Sequence, residues 1–244
     1  DTIEQIALEK AGIMKPGVPV VLGRQEKAAR GVLLAAAKGM ELPVVELTAE
    51  NVREQRKQIE FDAAFGGERL KGLTVSLCGR HQADNACAAL GALLALKKKG
   101  MKIPTSAVRA GLADVHWPGR LEYFGHVLLD GAHNPESFIP LVNYLKGKSG
   151  ARREIIYGCL SDKDAAKVLS ALSDCAEGIT AVRPHSYRAM DYDKILIECR
   201  RAFGSVGTAH SVGEALDNAQ GDIVVVCGSF TLLKEAREWT EKRQ

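Results

Sequence analysis

With 244 residues the chain is long enough for one or two domains, and 46% hydrophobic against 26% charged residues excludes a disordered chain. The net charge of +3, from 33 basic and 30 acidic residues, is too balanced to mark a nucleic-acid or membrane surface. No apolar run approaches the ~18 residues of a membrane span, and no signal-peptide pattern opens the sequence.

The chain starts at Asp1 and runs at once into a helix pattern, so an upstream part is expected to be missing. Residues 1–15, DTIEQIALEKAGIMK, have capping-box spacing at Asp1 and Glu4 or at Thr2 and Gln5, and Lys15-Pro16-Gly17 is the predicted stop. Ile3, Ile6 and Ala7 form an apolar stripe, and Lys10 falls on it at helical spacing. A lysine on the buried side either snorkels out near the helix end or is held in a site, modified or binding phosphate.

A strand over 19–22, a helix over 26–38 and a strand over 43–47 come next. Within 57–77, IEFDAAF and LTVSL read as β-runs joined by GGERLKG. An amphipathic helix over 81–99 and another after Pro104 follow, and HWPGR at 116–120 breaks the pattern. That break is the predicted domain boundary, dividing 1–117 from 118–244.

Beyond it, apolar runs at 126–129, 154–159, 179–182 and 222–227 alternate with helical patterns, with a weaker strand at 205–209. This alternation predicts a mostly parallel, doubly wound, Rossmann-like α/β sheet. Ligands bind such sheets outside the carboxyl ends of the strands. LLDGAHNPES places Asp130 and His133 there, SDKD places Asp164, and Ser229 follows a third strand. Asp164 and Ser229 each suit a plain helix cap. Asp130 with His133 is harder to explain that way, because a cap needs one polar side chain and not two. The six cysteines are scattered without a C-x-x-C pair, four in apolar contexts, which predicts thiols in a reducing cytoplasm.

Six stretches in one order (TIEQIALEKAGIMKPGVPVV, GRHQADNACAAL, WPGRLE, LLDGAHNPES, GCLSDKD and VVVCGSF) resemble the central and C-terminal parts of folylpolyglutamate synthase/dihydrofolate synthase, within the Mur ligase superfamily. The resemblance implies part of a central ATP-binding α/β domain over 1–117 and a glutamate-binding C-terminal domain over 118–244. It also implies a cytoplasmic, monomeric ligase that uses ATP and Mg²⁺ to join L-glutamate to a folate or dihydropteroate carboxylate through an acyl phosphate, releasing ADP. Lys10 matches a lysine that is carbamylated and binds Mg²⁺. Asn85 matches an adenine contact, Arg120 a phosphate contact and Asp130 a nucleotide contact that also helps to place glutamate. His133 and Ser229 match residues proposed to bind glutamate.

The spacing from Arg120 to Asp130 is three residues shorter than the family's, which a tighter hairpin around Gly125 accounts for. No G-x-x-x-x-G-K-[ST] phosphate loop is present; the nearest echo, Gly147-Lys148-Ser149, has Val142 where the first glycine should be and follows a helix instead of a strand. The fragment alone is therefore expected to be inactive. The alternatives are another Mur-type amino-acid ligase acting on a peptidoglycan precursor, or a non-catalytic nucleotide- or amino-acid-binding module.

Overall fold

The computed structural model describes residues 2–55, 57–65 and 67–243. They fall into two compact units, Asp1–His116 and Trp117–Gln244.

In the first unit α1 (Ile3–Ala11) is capped by Thr2, whose hydroxyl accepts the Gln5 N–H while the Gln5 side chain accepts the Thr2 N–H at 2.8 Å. The alternative cap at Asp1 lies outside the described residues. The helix ends at Gly12, ahead of the predicted Lys-Pro-Gly stop, with the Gly12 N–H returned to Glu9 and Lys10. Its buried side is Ala7 and Ala11, small residues that let α2 (Lys27–Gly39) approach closely. Ile3 and Ile6 are 38% and 45% exposed. Lys10 is exposed with them, which corrects the inward placement: of the predicted stripe only Ala7 is buried, and Ile3, Ile6 and Lys10 face out within this unit.

β1 (Val20–Leu22) and β2 (Val44–Glu46) pair in parallel and are covered by α3 (His81–Lys98). Gly91 of α3 makes this possible, since a Cβ there would lie 2.7 Å from a Val21 methyl and 3.1 Å from one of Leu47. Beside them, β3 (Glu50–Glu54), β4 (Ile59–Phe65) and β5 (Glu68–Val75) form an antiparallel sheet. Ile59, Phe61, Ala63 and Phe65 alternate onto one face and join Ala83, Ala86, Cys87 and Leu90 of α3 in a core that also takes Val108 of α4 (Thr105–Ala113).

Two expectations need correcting here. Most of GGERLKG is strand and not connection, because β5 already starts at Glu68. ENVRE is strand β3, an edge strand whose charges blunt the exposed edge and hide it from any apolar pattern. Asp62 ties this sheet together: its Oδ2 accepts from Asn51 Nδ2 at 2.8 Å and its Oδ1 from the Gly72 N–H at 2.9 Å, at two register shifts.

The second unit is one six-stranded sheet in the order β10-β9-β8-β11-β7-β6. β6 (Glu122–Phe124) is an antiparallel edge turning tightly into β7 (Val127–Leu129). The parallel remainder is β8 (Arg153–Tyr157), β9 (Gly178–Ala181), β10 (Val206–Thr208) and β11 (Ile223–Cys227). The intervening helices are α5 (Pro135–Lys146), α6 (Ala165–Ser173), α7 (Tyr192–Ala202) and α8 (Val212–Asn218), and α9 (Phe230–Glu241) closes the unit.

The chain steps outward from β8 to β10 and then returns to insert β11 between β8 and β7. That reversal sends α8 and α9 together to one face, while α5 packs on α6 and α6 on α7. Val127, Leu129, Ile156, Val224 and Val226 pack with α8 and α9. The alternate residues Leu128, Ile155, Tyr157 and Val225 are buried as well, and Phe138 of α5 meets the Tyr157 ring at 6.4 Å. Both faces are thus covered, as a parallel sheet requires. All six cysteines are free and buried, two more than the sequence contexts indicated. Among the described residues no helix is long and apolar enough to cross a membrane.

Candidate functional site at the β7/β11 switch point

β7 and β11 are neighbours, yet the chain leaves them toward helices on opposite faces, α5 and α9. Such a topological switch point opens a crevice outside the strand ends. Asp130 and His133 lie in the β7–α5 turn, and Ser229 lies in the β11–α9 turn. The two turns are joined by the Gly228 N–H, which donates to the Ala132 carbonyl at 2.9 Å.

Asp130 is buried, and both its oxygens are engaged: Oδ2 accepts the Leu121 N–H and Oδ1 the Ala132 N–H, each at 3.0 Å. Burial raises its pKa above the usual carboxylate range, while the two N–H donors and the nearby Arg120 guanidinium oppose that rise. The carboxylate therefore braces the WPGRL turn, where Leu121 is held at φ 47°. The Gly131 N–H donates to the Gly119 carbonyl at 2.8 Å, a third strap between these turns.

Arg120 is brought to this corner as expected. A Cβ at Gly131 would lie 2.7 Å from Arg120 Nη1 and 2.8 Å from the Phe230 ring, so the guanidinium and the ring flank one bare backbone. His133 is half-buried beside the same ring, with centroids 5.6 Å apart. Its Nδ1 lies 2.8 Å from the Gly131 carbonyl. A carbonyl can only accept, so Nδ1 carries the proton and Nε2 presents a lone pair in the neutral ring. Ser137 and Asn134 complete the turn with a reciprocal cap on α5.

Ser229 is buried and caps α9, accepting the Thr231 N–H at 3.3 Å and pairing with the Thr231 hydroxyl at 2.9 Å. Asp164 likewise caps α6, accepting from Lys167 at 3.1 Å. Arg120, Asp130, His133 and Ser229 thus share one corner, and Asp164 serves a different turn. Gly131 and Phe230 were not singled out from sequence. The only signal for them was the pair of small residues after Asp130 and the aromatic after Ser229.

Lys10 and Asn85 belong to the first unit. Asn85 stands exposed on α3 and donates to Gln82 Oε1 at 3.0 Å. Lys10 is exposed in the last turn of α1, where a carbamate would supply one oxygen ligand. Mg²⁺ prefers six oxygen ligands, and no group of three or more His, Cys, Asp or Glu side chains suited to a metal occurs among the described residues. Among the described residues a Lys10 carbamate would therefore be one Mg²⁺ ligand and not a complete site.

The profile of the Mur ligase family's glutamate ligase domain matches residues 119–230, which spans this corner. Fold and site together define a Mur-type ligase domain. A Mycobacterium tuberculosis dihydrofolate synthase/folylpolyglutamate synthase is 33% identical over 240 residues, covering 89% of this chain and 48% of that protein. A probable bifunctional folylpolyglutamate synthase/dihydropteroate synthase from Haloferax volcanii is 30% identical, covering 98% of this chain and 30% of its own length. The crystal structure of M. tuberculosis folylpolyglutamate synthase complexed with ADP and AMPPCP superposes with a TM-score of 0.89 at 27% identity, over 98% of this chain and 60% of that one. The chain belongs to the folylpolyglutamate synthase/dihydrofolate synthase family. It spans about half or less of the length of these curated relatives.

Proposed function

We propose that this chain is the nucleotide- and glutamate-binding portion of an ADP-forming ligase that joins L-glutamate to a folate or dihydropteroate carboxylate. The observation that carries the reading is the gathering of Arg120, Asp130, His133 and Ser229 at the switch point. Residues 1–117 are assigned to the ATP-binding domain and 118–244 to the glutamate-binding domain, working as a cytoplasmic monomer on small molecules.

In this reading Arg120 offers its guanidinium fork to phosphate oxygens, a match of geometry and charge that a lysine would not reproduce. Asp130 acts by holding the Arg120 turn in place. His133 Nε2 accepts from the incoming amino group, and Ser229 adds a hydroxyl beside it. Orienting an amine against an activated carboxyl converts a bimolecular step into an effectively unimolecular one. Asn85 contacts the adenine from the first unit. Lys10, as a carbamate, is the candidate ligand for Mg²⁺, which when bound neutralises phosphate charge.

The test is His133→Ala in the product of the whole gene. Its KM for glutamate should rise at least about tenfold, the effect of losing roughly 1.4 kcal/mol of binding. An unchanged KM would remove His133 from the glutamate site.

A further inference from the structure

A second feature lies on the same rim of the sheet. At the carboxyl ends of β9 and β10 a cleft of about 470 Å³ is lined by Arg183, His185, Ser186, Tyr192 and His210, with no carboxylate among its lining residues. Two of the acidic groups around it are engaged elsewhere. Asp191 caps α7, and Glu214 accepts the His210 backbone N–H at 2.8 Å.

Glu235 sits behind His185. Its Oε1 is buried and, among the described residues, has no hydrogen-bond partner; it lies 3.7 Å from His185 Nδ1. That distance is longer than a hydrogen bond, so the carboxylate neighbours the ring without fixing its tautomer. Glu235 belongs to α9, the helix that Ser229 caps, so one rigid element supports both places. β8 alone separates β9 from β11, which puts the cleft about 10 Å from the Ser229 corner, two strand spacings away.

We propose that this cleft binds the carboxylates of an oligoglutamate chain carried by the ligase's substrate, with Arg183, His185 and His210 as the anion-binding groups. The proposal rests on the glutamate-ligase reading of the β7/β11 corner. Free glutamate is too short to reach the cleft from that corner, whereas a chain of several residues spans the gap.

The test follows the imidazole resonances of the isotope-labelled protein, assigned with His→Gln variants, during titration with triglutamate, glutamate and inorganic phosphate. Triglutamate should move His185 and His210 at a concentration at least about tenfold lower than glutamate does. Arg183→Gln with His210→Gln should bring that ratio close to one; both side chains are exposed, so an unchanged unfolding midpoint should accompany the loss. Silent His185 and His210 resonances, or phosphate acting at the same concentration as triglutamate, would overturn the proposal. If triglutamate moves His185 and His210 while glutamate leaves His133 unmoved, the cleft stands and the assignment of His133 to glutamate falls. If glutamate moves His133 and triglutamate leaves the cleft silent, the cleft proposal alone is lost.

Discussion

Leu121 gives its backbone N–H to Asp130 Oδ2 at 3.0 Å, so the first residue after Arg120 is tied to the end of a core strand. With Oδ1 taken by Ala132, both oxygens of a side chain at the proposed substrate corner are engaged in shaping it. Asp130→Asn replaces one acceptor with a donor and leaves a buried N–H unpaired, a loss of about 1–3 kcal/mol. The urea midpoint should fall with the m-value unchanged. A midpoint equal to that of the unsubstituted protein would show that the carboxylate does not brace the turn.

Two glycines separate soft contacts from hard ones. At Gly131 a new methyl meets the movable ends of Arg120 and Phe230. Gly131→Ala should therefore cost about 1–3 kcal/mol and displace both side chains. At Gly158 a methyl would collide with the Val182 carbonyl, which the β8–β9 pairing holds in place. Gly158→Ala should be the worse of the two by thermal melting, and the reverse ranking would contradict the packing described.

The thiols set a pH dependence. Burial raises Cys87 and Cys175 to about 11 and Cys199 to about 12, above the ~8.5 of an unfolded cysteine. A raised folded pKa means that the native state retains protons which the unfolded chain releases. The stability from these groups is fully present below pH ~8.5 and is lost as pH rises through the folded values. The denaturation midpoint should therefore fall steadily between pH 8.5 and 11. At pH 8 the folded protein should resist a thiol reagent that labels all six cysteines once it is unfolded.

The hydrogen bond from His133 Nδ1 to the Gly131 carbonyl specifies a tautomer. Nitrogen chemical shifts of the neutral ring should show Nδ1 protonated and Nε2 bare. The opposite assignment would leave Nε2 unable to accept from an amine.

The β/α alternation after residue 117 was legible because the central strands of a doubly wound sheet are apolar on both faces and the crossover helices repeat a strong pattern. Asp130, His133 and Ser229 were legible because such sheets present polar groups at strand ends. Lys10 was misplaced for a physical reason: helical spacing shows which residues share a face, and here burial follows the small pair Ala7 and Ala11 instead of the large isoleucines. β3 escaped notice because its side chains are mostly charged or polar, with Glu50 paired to Arg69 of β5 and Asn51 donating to Asp62 of β4. The double engagement of Asp130 depends on a turn nine residues earlier folding back, which no local pattern encodes.

The most direct measurement of the ligase assignment is ADP release by the product of the whole gene with Mg-ATP and glutamate, offering dihydropteroate and tetrahydrofolate separately as acceptors. Release that requires glutamate and one of these acceptors, and that falls on Arg120→Ala, is the expected result. A folded, ATP-binding protein that releases no ADP with either acceptor would contradict it.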